Sequence, residues 1–297
     1  MTIIKVNQND VDQTVFNFIK KNFKSTNLSI IYKWFRKGKV KINDVRIKDT
    51  KVKIKLNDEI KVYDSSQAEK RDDFEEVDFS SLEIIYEDEN ILIVDKQPNL
   101  EVHSPVNINL DQIVKSYLKD KGEYNPESEN SFVISHVHRI DKLTKGLVIY
   151  AKNKITLDSL LKELNNKSKI QKLYLAKTEN NQLQTGKVTG YIKYDNDNQK
   201  ARFRIEKFNN TKKVEQINNL IDAEKNIYEI QIITGRKHQI RAVCDFFKSP
   251  ICKDFRYGAK RSELREIDLI AYKLIFEGFE DHLAYLNGNE YKSKYNF

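Results

Sequence analysis

An imidazole, a guanidinium and a carboxylate (His138, Arg139, Asp141) fall side by side in the stretch HRIDKLTKGLVIYAK, residues 138–152. They stand directly ahead of Thr144, Gly146 and an apolar run over 147–150. Charges at the mouth of a buried strand are costly unless paired or used. The segment therefore reads either as a polar loop capped by a turn or as a site. A carboxylate in that place can act as a nucleophile or stabilise charge, provided a nearby cation keeps it ionised. Because His136 and His138 lie two residues apart, a hydrolytic nuclease built on both imidazoles and Asp141 is a second chemistry. No Cys-x-x-Cys or His-Glu-x-x-His partner accompanies them, so nothing reads as a metal site. No Gly-rich phosphate loop or dinucleotide fingerprint occurs either.

The elements that must hold these residues are legible from periodicity. Apolar runs at 82–86 and 91–94, joined by the turn residues EDEN, predict a hairpin. Leu157, Leu160, Leu161 and Leu164 recur at helical spacing and lead into a strand carrying Tyr174. Strand-like runs at 188–194, 201–208, 214–221 and 227–233 make the middle of the chain β-rich. From Arg236 the pattern turns helical, with Ile240, Val243, Cys244 and Phe247 on one stripe and Arg241 near the helix start.

The first part of the chain reads helix, helix, hairpin. Val15, Phe16, Ile19 and Phe23 follow a cap at Thr14; Ile30, Ile31, Trp34 and Phe35 follow next, and Gly38 stops the helix. The helical spacing makes Trp34 and Phe35 core residues rather than stacking platforms. Val40 and Ile42, a turn at Asn43-Asp44, and Val45 and Ile47 predict a hairpin; Val52, Ile54 and Leu56, then Ile60 and Val62, predict two further strands. Residues 65–80 are polar and aperiodic and read as a linker. The expected division is 1–64, 65–80 and 81–297.

Of 297 residues, 39% are hydrophobic and 32% charged, a folded rather than disordered composition. No apolar run approaches the ~20 residues that span a bilayer. The start of the chain has no secretory pattern, and two cysteines without metal spacing suit a reducing cytoplasm. Residues 11–63 hold 14 Lys and Arg against 5 Asp and Glu, more than the chain's whole net charge of +8. A basic module on a near-neutral body predicts an anionic partner.

Taken together, these blocks resemble the RluA-type pseudouridine synthases, whose motif reads H-R-L-D-x-x-T-S-G. His138, Arg139, Asp141, Thr144 and Gly146 match it; Ile140 stands for Leu and Lys145 for Ser, adding a cation beside the site. Lys172, Tyr174 and Ala176 resemble the family's K-x-Y-x-A. Residues 235–241 resemble G-R-T-H-Q-I-R, with Lys237 for Thr. Ser249-Pro250-Ile251 and DFRYG at 254–258 resemble H-P-I…D…Y-G, with Ser249 for His. Val94, Lys96 and Pro98, with Val102 and His103, resemble V-x-K-P…V-H-P. The blocks arrive in the family's order.

The resemblance implies an α+β catalytic domain with a long bent mixed β-sheet flanked by helices, and a small N-terminal module. It implies isomerisation of uridine to pseudouridine in an RNA, with the target base flipped out of its stack. The N1–C1′ bond breaks, the uracil turns and C5 joins C1′. Asp141 takes the family's catalytic carboxylate, and Arg241 the arginine that pairs with it. Tyr174 stacks on the uracil and relays the C5 proton, working by position, since a phenol's pKa is ~10. Ile140 and Ile240 bind substrate, Ile240 as an apolar wall. Arg139 fills the gap left in the RNA or holds a phosphate. His138 belongs with the substrate-binding group, though a lone His is more often a structural donor.

The N-terminal part resembles the S4 RNA-binding domain, which implies that Lys33, Arg36, Lys37, Lys39 and Lys41 meet phosphates. The whole chain is most similar to the RluC-like branch, which implies large-subunit ribosomal RNA as substrate, no cofactor or metal, and a cytoplasmic monomer. The rival reading is a non-catalytic RNA-binding or ribosome-assembly factor that retains the fold.

Overall fold

The structure, a computed structural model, describes residues 1–64, 75–166, 169–260, 263 and 266–297. Most of the expected linker, 65–74, lies outside the described residues. The described chain divides into two compact units. One holds Met1–Phe79, Val114–Ser135 and Asn153–Ile155; the other holds Ser80–Ile113, His136–Lys152 and Thr156–Phe297.

The first unit opens with β1 (Thr2–Lys5), α1 (Val15–Asn22), α2 (Leu28–Arg36), β2 (Val40–Ile42), β3 (Val45–Arg46) and β4 (Glu59–Val62). The strands form an antiparallel sheet in the order β1-β4-β2-β3. Thr14 Oγ1 accepts from the Asn17 N–H at 3.2 Å and caps α1. Gly38, at φ +62°, ends α2 where a residue with a Cβ would be strained. Asn43 and Asp44 both take positive φ, the conformation that turns β2 into β3. Trp34 and Phe35 are each 1% exposed, with Trp34 edge-on to Phe23, so both are core.

One expected strand is absent. Val52, Ile54 and Leu56 form no ladder; Ile54 is buried while Leu56 is exposed. Their backbone groups serve the entry to α1 instead: Val52 O accepts from Val15 N, and Ile54 exchanges bonds with Asp12 and Gln13. The place beside β4 is taken by β1, from Thr2↔Val62 to Lys5↔Glu59.

Further along come β5 (Ile84–Glu87), β6 (Ile91–Lys96), α3 (Leu110–Asp120), β7 (Ser135–His136), β8 (Lys145–Ala151), α4 (Lys154–Asn166) and β9 (Ile170–Lys177). They are followed by β10 (Gly186–Asp195), β11 (Lys200–Arg204), β12 (Lys212–Asp222), β13 (Ile227–Ile232), α5 (Gln239–Phe246), β14 (Leu269–Phe276) and β15 (Glu290–Lys292). The expected hairpin over 82–94 is β5–β6, its turn held by Asp88 Oδ1, which accepts from the N–H groups of Asn90 and Ile91. No reading of the sequence anticipated α3, β14 or β15.

The strands form one large mixed sheet in the order β11-β10-β12-β13-β9-β14-β8-β6-β5, with β7 beside β8 and β15 beside β14. The fold class is α+β, as expected. The pairing of β8 with β14 is parallel and sets Gly146 against Ala271. Gly146 sits at φ +118°, and a Cβ there would stand 2.3 Å from the Ala271 carbonyl oxygen. Only glycine lets the two backbones approach. Through this contact one row crosses the sheet, from Lys96 to Gly146, Ala271, Tyr174 and Ile230.

Candidate active site

Asp141 sits in the turn that feeds β8, closed by a bond from Thr144 N to Asp141 O. Its carboxylate is 22% exposed, open to an adjoining cleft of about 1550 Å³. Arg241, the third residue of α5, reaches it from across the cleft: Nη1 donates to Asp141 Oδ2 at 3.2 Å. The rest of the guanidinium faces Asp254, with Nε to Oδ2 at 2.7 Å and Nη2 to Oδ1 at 2.8 Å. This bidentate pair is buried, Arg241 at 3% exposure and Asp254 at 1%. Burial works against the cation, but Asp254 and then Asp141 outweigh it and hold the Arg241 pKa above its ordinary value.

His238 completes the frame. Arg241 Nη1 donates to its Nε2 at 3.0 Å, which places the imidazole proton on Nδ1, 2.9 Å from the Tyr257 hydroxyl. That hydroxyl also accepts from Ala201 N at 2.6 Å. Burial pushes the His238 imidazole down to about 4, against the pull of Asp141 and with help from Arg241, so it stays neutral. The turn 254–258 thus carries one carboxylate onto Arg241 and one phenol onto His238. In the sequence these residues form a motif with no evident task; a buried Asp demanding a cation is the available signal.

Tyr174 stands on β9 between β13 and β14, is 7% exposed and lines the same cleft. Burial and the neighbouring Asp141 charge raise its pKa, so its hydroxyl is not a base at neutral pH. Ile140 and Ile240 line the cleft as buried apolar walls, at 8% and 5% exposure. Arg139 lines it too and is exposed. His138 reaches the lining, but its Nε2 accepts from Ile149 N at 3.4 Å while Nδ1 is buried without a partner among the described residues. Burial, with Lys172 adding to it, lowers its pKa to about 3.

The two imidazoles proposed for hydrolysis have other partners. His136 Nδ1 is 2.8 Å from Asp111, a carboxylate that also meets His103 Nδ1 and the Tyr150 hydroxyl. Among the described residues, no group of His, Cys, Asp and Glu side chains is arranged to hold a metal ion. Lys145, expected to add a cation to the site, is instead paired with Glu266 at 3.4 Å and lies over the Tyr295 ring. Lys96 is 1% exposed, and its ammonium donates to the carbonyls of Gln97, Leu100 and Lys142, tying the turn after β6 to the residue next to Asp141. Burial pushes its pKa down to about 7, with Asp141 opposing.

In the first unit, Lys33, Arg36 and Lys37 are exposed at the end of α2. Lys39 pairs with Asp64 at 2.6 Å, and Lys41 lies 5.0 Å from the centre of the Tyr63 ring. No helix among the described residues is long and apolar enough to cross a membrane.

The fold is shared with two human proteins, RNA pseudouridylate synthase domain containing 4 and 1. The first superposes with a TM-score of 0.55 at 19% identity, covering 71% of this chain and 88% of that one. For the second the values are 0.51, 19%, 68% and 81%. Sequence takes the identification further. The RNA pseudouridylate synthase family model matches residues 90–246. An uncharacterized RNA pseudouridine synthase of Mycoplasma capricolum is 48% identical over 293 residues, 97% of this chain and 95% of that protein. Ribosomal large subunit pseudouridine synthase C of Buchnera aphidicola is 31% identical over 87% of this chain and 81% of its own length. The Escherichia coli protein of that name is 26% identical over 86% and 79%. The chain belongs to the RluA-type family of RNA pseudouridine synthases, enzymes that isomerise uridine in RNA.

Proposed function

We propose that the protein makes pseudouridine in large-subunit ribosomal RNA, with Asp141 as nucleophile on a flipped-out uridine. The observation that carries this reading is the Asp141–Arg241 ion pair facing Tyr174 in one open cleft. Attack by Asp141 separates the base from its sugar or activates it for separation. Tyr174, in this reading, supports the uracil ring while it turns, and Ile240 covers its other face. The ribosomal target is supported by the names of the two large-subunit relatives. The S4-like module over 1–64 holds folded RNA through Lys33, Arg36, Lys37, Lys39 and Lys41, whose phosphate contacts position without reading sequence. Such distant contacts offset the few kcal/mol, roughly, that unstacking the target base costs. The enzyme works as a cytoplasmic monomer without metal or cofactor.

Release of tritium from [5-³H]uridine in ribosomal transcripts tests the reading. The wild type should release label, and Asp141→Asn should lose the rate by several powers of ten while binding RNA nearly as well. Pseudouridine formed at a useful rate by Asp141→Asn removes the carboxylate from the mechanism. Binding without release by the wild type favours the non-catalytic assembly factor.

A further inference from the structure

The cations lining the cleft fall into two kinds. Arg139, Lys142, Arg236, Lys237 and Arg256 are exposed, at home in water. Arg241 and Lys253 are screened from water and matched by carboxylates: Asp254 and Asp141, and Glu266 with Asp268. Lys172 belongs to neither. It is half-buried and lines the cleft, and its ammonium makes no hydrogen bond or ion pair with any described residue. Burial alone lowers its pKa, to about 8, with no carboxylate opposing; at neutral pH it remains mostly an ammonium. A partly desolvated cation without counter-charge is costly, and its natural complement is a ligand that brings negative charge.

Its place says which ligand. Lys172 lies two residues before Tyr174 on β9, so the two side chains leave the same face of the strand. The same cleft is walled by Ile140, Ile240 and Leu269, all under a tenth exposed. Apolar walls and the Tyr174 ring suit a flat base; a phosphate would leave its remaining oxygens facing those walls and is better met by the exposed cations.

We infer that Lys172 is a further substrate-contacting residue, its ammonium donating to a carbonyl oxygen of the everted uracil and stabilising the charge that oxygen gains in the reaction. This rests on the pseudouridine reading above. Whichever carbon Asp141 attacks, an electron pair enters the ring. Addition to C6 makes an enolate at O4; rupture of N1–C1′ leaves a uracil anion shared by O2 and O4. After the ring turns, C5 bonds to C1′, C5 loses its proton and N1 gains one, so no oxidant or reductant is needed. A preorganised cation beside the oxygen acts where charge develops, which is where such a group accelerates a reaction.

The test is single-turnover tritium release at saturating enzyme, using [5-³H]uridine transcripts of large-subunit, small-subunit and transfer RNA. Lys172→Met should slow release ~10²–10³-fold, as loss of one charge-stabilising donor does, with RNA affinity nearly unchanged. Lys172→Arg should recover part of the rate. A Lys172→Met rate equal to the wild type, or a loss confined to affinity, overturns the inference. A wild type that releases no label from any transcript instead overturns the reading beneath it. Should Lys172→Met not fold, amine acylation of the wild type, read residue by residue by mass spectrometry, decides. Shielding of Lys172 by uridine-containing transcripts but not by polycytidylate supports base contact; equal shielding by both, or none, refutes it.

Discussion

The two units use the same side chains in opposite ways. In the first, the hydrophobic cluster that runs from Ile4 to Val62 holds no Lys or Arg, and Lys33, Arg36 and Lys37 are exposed. In the second, Lys96, Arg241 and Asp254 are at most 3% exposed, and each side chain makes two or more hydrogen bonds. Outward charge makes a field that tolerates small displacements and is screened by salt. Inward charge gives fixed geometry at a high desolvation cost, recovered only if every partner is in place. In the function proposed above, the contrast separates holding an RNA from acting on one of its bases.

The comparison breaks most sharply at Asp254. Asp254→Ala leaves a buried guanidinium short of its main partner and should cost about 3–5 kcal/mol of stability, read by urea unfolding. A loss below about 1 kcal/mol would mean that Arg241 is far better solvated than its 3% exposure implies. Replacing Lys33, Arg36 and Lys37 together by Gln should leave the unfolding midpoint unchanged. RNA affinity should fall by about tenfold or more at low salt, with a shallower slope of log affinity against log salt. An unchanged slope would deny the outward cations their phosphate role.

The smallest effect is in pH. Burial holds His138 at about 3 and His238 at about 4, both below the unfolded value of roughly 6.5. The unfolded chain therefore binds protons first as pH falls. The stability these neutral imidazoles contribute is whole above roughly pH 6.5 and is lost progressively toward their folded pKa values. Each should cost under about 1 kcal/mol between pH 7 and 6. Urea midpoints of the wild type and His138→Gln, measured across that range, should converge on acidification.

Local pattern carried the sequence reading as far as local forces decide. Thr14, Gly38 and the Asn43-Asp44 turn act on their own neighbours, so the elements they bound were legible. The spacing that put Tyr174 on a strand and Arg241 at a helix start likewise needed no distant partner. What escaped was set by contacts far along the chain. Residues 52–56 alternate like a strand, yet the backbone around α1 claims their hydrogen bonds. Asp254 has no periodic signal that it belongs to Arg241. Gly146 was visible as a motif glycine, but its reason is a carbonyl on Ala271. The state of Lys172 follows from which neighbours it lacks, which no window of sequence contains.

The position of β14 has a further consequence, for assembly. It lies between β8 and β9 and, among the described strands, is their only link in the order of the sheet, although it is made after both and after α5. A chain that has grown no further than residue 268 therefore carries Asp141 and Tyr174 on two separate ribbons, with no ladder to bring them into one cleft. Such late, long-range closure slows folding. The cleft thus waits for the last tenth of the polypeptide, and a fragment released early carries its motifs without the strand that unites them.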